Sequence, residues 1–319
     1  MRWTFGAFAA LVVAFLFSLV FRKAGSYYRP VDGWGVDVFE LSMGVMCIRR
    51  YFETSWRSSR SAAQAFPLIL GLACISWGLG DVALTVESFG GATPSVPSVA
   101  DGFYVGFFPL CYLSIMALIR GGNHKSLVAT SLDGLIAGLG VASVSAAYLF
   151  DAVLKATGGS DLSTATSMVY PSGDVLLLAL AIGGIAVLPR EYRRFLAIAS
   201  VAFAANATGD LFNLLQPNGK VGYVTNAVAW PISLLMLAIA AWVQPAKIEK
   251  ANTERIAGFT LPTIGALASM FILFSASLGH MGRPAVGFAT ATLLVAGVRF
   301  TLTMREAQAL NSARFRSLI

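Results

Sequence analysis

The sequence predicts an all-α integral membrane protein of about ten transmembrane helices, and three observations carry that prediction. Hydrophobic residues make up 56% of the 319, while charged residues make up only 12%, about half of the roughly 25% usual in soluble domains. Mean hydropathy is +0.71. Long apolar runs recur along the whole chain, and hydrocarbon admits only helices or closed barrels, whose strands are far shorter than these runs. Helices are expected near 4–21, 35–48, 63–86, 97–119, 127–154, 167–188, 194–215, 222–243, 259–279 and 284–303. If the second of these does not span, nine remain and the later ones are unchanged.

The formal charge of +7 does not point to nucleic acid. Its basic residues are scattered over short loops and form no run interleaved with aromatics, so the expected partner is the lipid bilayer. With the N-terminus inside, sixteen of the 23 Lys and Arg fall on the cytoplasmic side, six outside, and Arg299 in the last helix. That bias predicts a multi-pass membrane protein with both termini in the cytoplasm. The first apolar run, Thr4 to Phe21, has no small-residue cleavage site behind it and reads as a retained helix. Cys47, Cys74 and Cys111 all fall inside apolar segments, where thiols pack as small hydrophobes.

Taken in order, the first helix carries Phe5, Phe8, Phe15, Phe17 and Phe21 around its surface and reads as a lipid-facing anchor. The second carries Asp37 and Glu40 near its outer boundary, where hydration makes a charge inexpensive. The loop from Arg49 to Arg60 is an orientation signal and a contact for anionic lipid. In the third helix Trp77 and Asp81 share one face. A carboxylate in a membrane helix usually faces a bundle interior or a wet cavity, and an Asp in headgroup water is the competing reading. The fourth helix opens Pro97-Ser98-Val99-Ala100-Asp101, with Tyr104 one turn on and Pro109 further in. Ser98 and Asp101 also suit a helix start without any ligand.

The fifth helix begins Ser131-Leu132-Asp133-Gly134, then runs through small residues to Ala147, a composition that lets helices pack closely in lipid. Asp133 has no obvious partner. The sixth helix contains Tyr170-Pro171-Ser172-Gly173-Asp174, a repeat of the Pro-Ser-Asp pattern. In the seventh, Asn206, Gly209-Asp210 and Asn213 echo Gly80-Asp81. In the eighth, Tyr223, Asn226 and Trp230-Pro231 echo Tyr104 and Phe108-Pro109. These correspondences predict a weak internal repeat of a helical hairpin. The last two helices hold few polar groups besides Ser, Thr and Arg299, which is expected to snorkel or to pair with an acid near the inner face.

Under this topology the acids and their polar and aromatic neighbours fall in the outer half of the membrane. The candidate ligand-binding set is Trp77, Asp81, Asp101, Tyr104, Tyr170, Asp174, Asn206, Asp210, Tyr223, Asn226 and Trp230, expected to line one polar, aromatic pocket. Enrichment of Trp and Tyr at membrane interfaces accounts for the aromatic members equally well. His124 and His280 fall on opposite faces, no His/Cys cluster has zinc spacing, and no Lys lies within a helix interior. Neither a phosphate-binding glycine loop nor a nucleophile constellation is present. No catalytic residue, metal or cofactor is therefore expected. The stretch after Arg299 is a good helix former, with Phe300, Thr303, Ala307 and Leu310 at coiled-coil spacing. Arg299, Thr303, Ala307 and Leu310 are the candidate relay residues, and a homodimer through this helix is the matching expectation.

Gly80-Asp81, Glu87, Pro97-Ser98-Val99-Ala100-Asp101, Phe103-Tyr104, Pro109-Leu110, Asp133-Gly134, Tyr170-Pro171 and Gly173-Asp174 together resemble a known pattern. It is that of the multi-pass N-terminal sensory region found ahead of GGDEF and EAL domains in bacterial, especially actinobacterial, cyclic-di-GMP signalling proteins. The resemblance covers roughly residues 30–319. Leu84 and Val86 depart from it where family members often carry Tyr or Trp. The final Ser312 to Ile319 segment is similar to the start of many PAS domains. The resemblance implies a polytopic sensory domain over 1–303 and a cytoplasmic signalling helix over 304–319 leading to an output domain, whose product would be cyclic-di-GMP turnover or phosphotransfer. None of the catalytic residues of such outputs is in this chain. Two functions follow as expectations: a membrane sensor whose pocket takes a small ligand, cation or lipid, and a small-solute or proton-coupled transporter with repeats and intramembrane carboxylates.

Overall fold

A computed structural model describes residues 2–55, 65–92, 94–122, 127–156, 161–187, 190–215, 219–243, 260–279 and 282–316. Among them are ten long helices: α1 (Arg2–Phe21), α2 (Trp34–Ser55), α3 (Phe66–Glu87), α4 (Val99–Gly122), α5 (Leu127–Ala156), α6 (Asp161–Val187), α7 (Arg190–Leu215), α8 (Lys220–Val243), α9 (Thr260–Ser277) and α10 (Arg283–Arg316). A one-turn helix, Arg29–Asp32, precedes α2, and a 3-10 turn, Phe89–Gly91, follows α3. The described residues contain no strand, so the protein is all-α. Among the described residues seven segments are long and apolar enough to cross a membrane, in α1, α3, α4, α6, α7, α8 and α10. Helix α2 is 22 residues long but carries Asp37, Glu40, Arg49, Arg50 and Glu53, and is too polar to join those seven. His124, His280, Arg57, Arg60 and the terminal Leu318-Ile319 lie outside the described residues.

The helices form two compact units, residues 1–123 with 151–253 and residues 124–150 with 254–319. In the first unit α2, α3 and α4 make two antiparallel contacts. Gly44 meets Ile75 and the Gly71 carbonyl while Asp37 meets Thr85, so α2 and α3 run in opposite directions. Ser76 Oγ donates to the Phe103 carbonyl and Ser114 Oγ to that of Phe66, which sets α4 against α3 in the same sense. The second half of the unit repeats this with α6, α7 and α8. Between the halves the neighbours are parallel: α4 lies beside α6, where Asp101 meets Tyr170 and Phe108 meets Gly173. Helix α8 lies beside α2, where Trp242 Nε1 donates to the Met46 carbonyl. The six helices thus close into a ring of two like-oriented triplets, α2–α3–α4 and α6–α7–α8. Across its middle Phe66 of α3 packs on Phe195 of α7 with ring centroids 4.6 Å apart.

Helix α1 lies outside that ring against α8, with Phe5 on Trp242 and much of its apolar surface exposed, as an anchoring helix would be. Its C-terminal end is tied down by polar contacts. Arg22 makes a bidentate pair with Asp32 at 2.6 and 2.9 Å, and the same carboxylate accepts from the Tyr28 N–H. The Asp32 hydrogen bonds hold the Arg22 guanidinium above its ordinary range, against the opposing effect of burial. Lys220 and Tyr223 at the start of α8 donate to the Arg22 and Ser26 carbonyls.

In the second unit Gly140 of α5 and Gly265 of α9 meet backbone to backbone; a Cβ on Gly140 would lie 2.6 Å from the Gly265 Cα. That contact realises the small-residue packing expected of α5. Asp133 has a partner after all: Arg299 of α10 donates Nε to Oδ1 at 2.8 Å, and also donates to Thr303 Oγ1 at 2.6 Å. Of the two alternatives for Arg299, pairing is the one observed. Helix α10 continues without interruption through Thr303, Ala307 and Leu310 to Arg316.

Candidate functional site

The interior of the first unit is polar at one level. Glu40 sits on α2 and is fully buried beside Asp81 of α3, and neither of its carboxyl oxygens has a hydrogen-bond donor among the described residues. Asp81 Oδ1 accepts from the Tyr104 hydroxyl of α4 at 2.5 Å. The ring of Tyr104 fits there because residue 80 is glycine: a Cβ at that position would lie 2.5 Å from the ring. Asp37, one turn before Glu40, is 2% exposed and accepts from Thr85 Oγ1 at a long 3.4 Å. The expectation that Asp37 and Glu40 rest in boundary water is corrected here: α3 and α8 cover the face of α2 that bears them.

The second triplet holds an equivalent arrangement. Asp174 of α6 is within hydrogen-bonding reach of Asp210 of α7. Asp210 Oδ1 accepts from Trp230 Nε1 of α8 at 2.8 Å. Gly209 leaves the room, since a Cβ there would lie 2.6 Å from that nitrogen. Asn206, one turn from Asp210, donates to Asp174 Oδ1 at 3.0 Å. Each triplet therefore carries an acid on its first helix, Gly-Asp on its second and an aromatic donor on its third. By contact the counterpart of Tyr104 is Trp230; the sequence echo had set Tyr223 against Tyr104 and Pro231 against Pro109. The repeat also extends to a third helix.

Two carboxyls in contact and out of water need a proton or a cation between them, because two like charges at that separation repel strongly in a poor dielectric. Glu40 with Asp81 and Asp174 with Asp210 are two such pairs, one in each triplet. They are joined rather than separate. Trp77, 2% exposed, packs on Tyr104 at 4.9 Å and on Trp230 at 6.1 Å. Tyr104 also meets Tyr170 edge-on at 6.5 Å, and Tyr170 donates to Asp101. Asp101 serves two ends, because its other oxygen accepts from the Ser98 N–H at 2.7 Å as a helix-capping contact.

The eleven candidate residues divide by position. Asp81, Tyr223, Asn226 and Trp230 line a cavity of about 460 Å³, together with Asp37, Thr85 and Arg29. Trp77, Asp101, Tyr104, Tyr170, Asp174, Asn206 and Asp210 form the packed network described above. Sequence reasoning placed Asp37 and Glu40 at the edge and passed over Thr85 and Arg29. The signal available was the spacing of Asp37 and Glu40, three apart and so on one helical face, in a helix too polar to face lipid all round. Among the described residues no group of three or more His, Cys, Asp or Glu is arranged to hold a metal ion. The three cysteines are buried and unpaired.

Compared with known proteins, the chain matches no family model, and no curated protein or solved structure matches it either.

Proposed function

We propose that the chain is a membrane-embedded sensory domain, in which a small ligand bound in the first unit alters helix packing and α10 passes the change to a cytoplasmic output. The observation that carries this reading is the polar network itself. Carboxyls on α2, α3, α4, α6 and α7 are held by partners on neighbouring helices, so adding or removing charge at one of them changes which helix positions are favourable. A ligand shifts such an equilibrium through unequal affinity for two packings. Helix α10 supports the second half of the reading: its 34 residues extend about 51 Å, against about 30 Å of hydrocarbon. The resemblance of the Pro97–Tyr104 segment adds cyclic-di-GMP turnover in a bacterial cell as the expected output, and the Lys/Arg bias supports a cytoplasmic side for it.

The test is a reporter cyclase joined downstream of α10 in the full chain. Asp174→Asn and Asp210→Asn are expected to shift reporter activity several-fold at unchanged amounts in the membrane. Wild-type response in both variants overturns the reading.

A transporter is the second reading, and the paired triplets favour it, since parallel repeats around an axis along the membrane normal commonly frame a substrate site. Uptake of a labelled solute by vesicles containing the purified chain, lost in Asp174→Asn, would put this reading first.

A further inference from the structure

The cavity of about 460 Å³ lies within the first unit, where the end of α1, the one-turn helix, the start of α2, the end of α3 and the start of α8 meet. Its volume is in the range that takes small molecules. What distinguishes it is unmet hydrogen-bonding capacity of both signs. Asp37 is almost wholly buried, and its Oδ2 has no partner among the described residues. Asn226 Oδ1 is likewise without a donor. Arg29 donates one terminal N–H to the Ser88 carbonyl and lies 4.5 Å over the Phe89 ring, yet its buried Nε has no acceptor. Asp32 also borders the cavity but is neutralised by Arg22.

Buried groups left in this state are costly unless something completes them. A cation alone would satisfy Asp37 and Asn226 and leave Arg29 unmet; an anion alone would do the reverse. We propose that the cavity binds a small zwitterion with a primary ammonium and a carboxylate, an amino acid in chemical class. The ammonium carries three N–H donors. Asp37 Oδ2 and Asn226 Oδ1 take two of them, and the aromatic side chains of Trp230 and Tyr223 line the same cavity. Tyr223 is held in place by its bond to the Ser26 carbonyl. The carboxylate goes to Arg29, whose guanidinium suits planar anions. The ammonium is preferred over a quaternary nitrogen because only N–H groups satisfy the two open acceptors.

The inference rests on the sensory reading only in treating this cavity as the ligand's seat. The full chain in lipid nanodiscs is titrated calorimetrically with glycine, L-alanine, L-leucine and γ-aminobutyrate. Ethylamine, propionate and glycine betaine are titrated in parallel. At least one of the four zwitterions is expected to bind saturably, and ethylamine, propionate and glycine betaine to bind at least about tenfold more weakly, a difference of about 1.4 kcal/mol. Asp37→Asn and Arg29→Gln should each weaken that binding by about tenfold or more. Arg49→Gln, in an exposed pair with Glu53, should leave it unchanged. Unaltered thermal unfolding of each apo variant shows that the loss is not misfolding. Absence of binding by all four zwitterions overturns the inference, and so does ethylamine binding as tightly as a zwitterion with Arg29→Gln without effect. Zwitterion binding that leaves the reporter silent overturns the sensory reading alone. Reporter changes in Asp174→Asn without zwitterion binding overturn this inference alone.

Discussion

Adding one methyl group at Gly80 or Gly209 is a sharp probe of the repeated site. A Cβ at Gly80 would stand 2.5 Å from the Tyr104 ring, and one at Gly209 would stand 2.6 Å from the Trp230 nitrogen. Ordinary carbon contacts are about 3.5–4.0 Å, so each ring must retreat by about 1 Å. Neither ring has room, because Trp77 packs against both. Overpacking of this kind costs about 1–3 kcal/mol. Loss of the bond to Asp81 or Asp210 adds about 0.6 kcal/mol, the average for such bonds in membrane helices. Alanine offsets about 1 kcal/mol of this through its better helix propensity. The net loss is between about 0.6 and 2.6 kcal/mol, a shift of about 3- to 80-fold in the unfolding equilibrium. Equilibrium unfolding in mixed SDS micelles measures it directly. Gly102→Ala is the control, since nothing lies within 4 Å of a Cβ there, and it should be neutral or stabilising. If Gly80→Ala and Gly209→Ala were as stable as Gly102→Ala, the close packing of ring on helix described above would be wrong.

Three other outcomes are expected. Tyr104→Phe removes one donor to a carboxylate and should destabilise by about 0.6 kcal/mol in the same assay, and Trp230→Phe, which removes a donor and also ring volume packed on Trp77, should cost more than that; a neutral outcome in either variant would break the equivalence of the two triplets. Asp133→Asn and Arg299→Gln should each destabilise, with the double variant losing less than the sum, because each single change strands a partly buried charge; strict additivity in the cycle would rule out the pair. Cys47, Cys74 and Cys111 should react with a maleimide at least about tenfold more slowly in the folded chain than after SDS unfolding, because all three are buried; equal rates would contradict that burial.

The helices were legible in the sequence because membrane composition leaves few alternatives, and the ten expected segments correspond to the ten long helices. The helical-hairpin repeat was legible at Gly80-Asp81 and Gly209-Asp210, where small residue and acid stand side by side. Its full extent was not. Glu40 and Asp174 occupy equivalent places, yet one is Glu in an acidic, mixed helix and the other is Asp after Pro171, so no pattern of letters links them. The partner of Tyr104 in the repeat was misread for a related reason: Trp230 plays its part with an indole N–H, and chemistry is shared where residue type is not. Arg29 was invisible because a lone Arg in a loop reads as an orientation signal, and only the fold brings it to the same cavity as Asp37. Asp133 and Arg299 are 166 positions apart, a distance across which spacing carries no information.

The parallel contact of α4 with α6 has a topological consequence. A module of three helices traverses its own length an odd number of times, so the chain leaves it at the end opposite to where it entered. A second copy placed in the same orientation must begin back at the starting end. Some segment has to make one further traverse between them, and α5, with 30 residues and about 45 Å of helix, is long enough to do so. A connecting segment of that length in the chain order is what allows a second triplet of odd parity to repeat the first rather than stand inverted to it. On this view the sequence of α5 answers to a demand of connectivity, and it is free to differ from both copies.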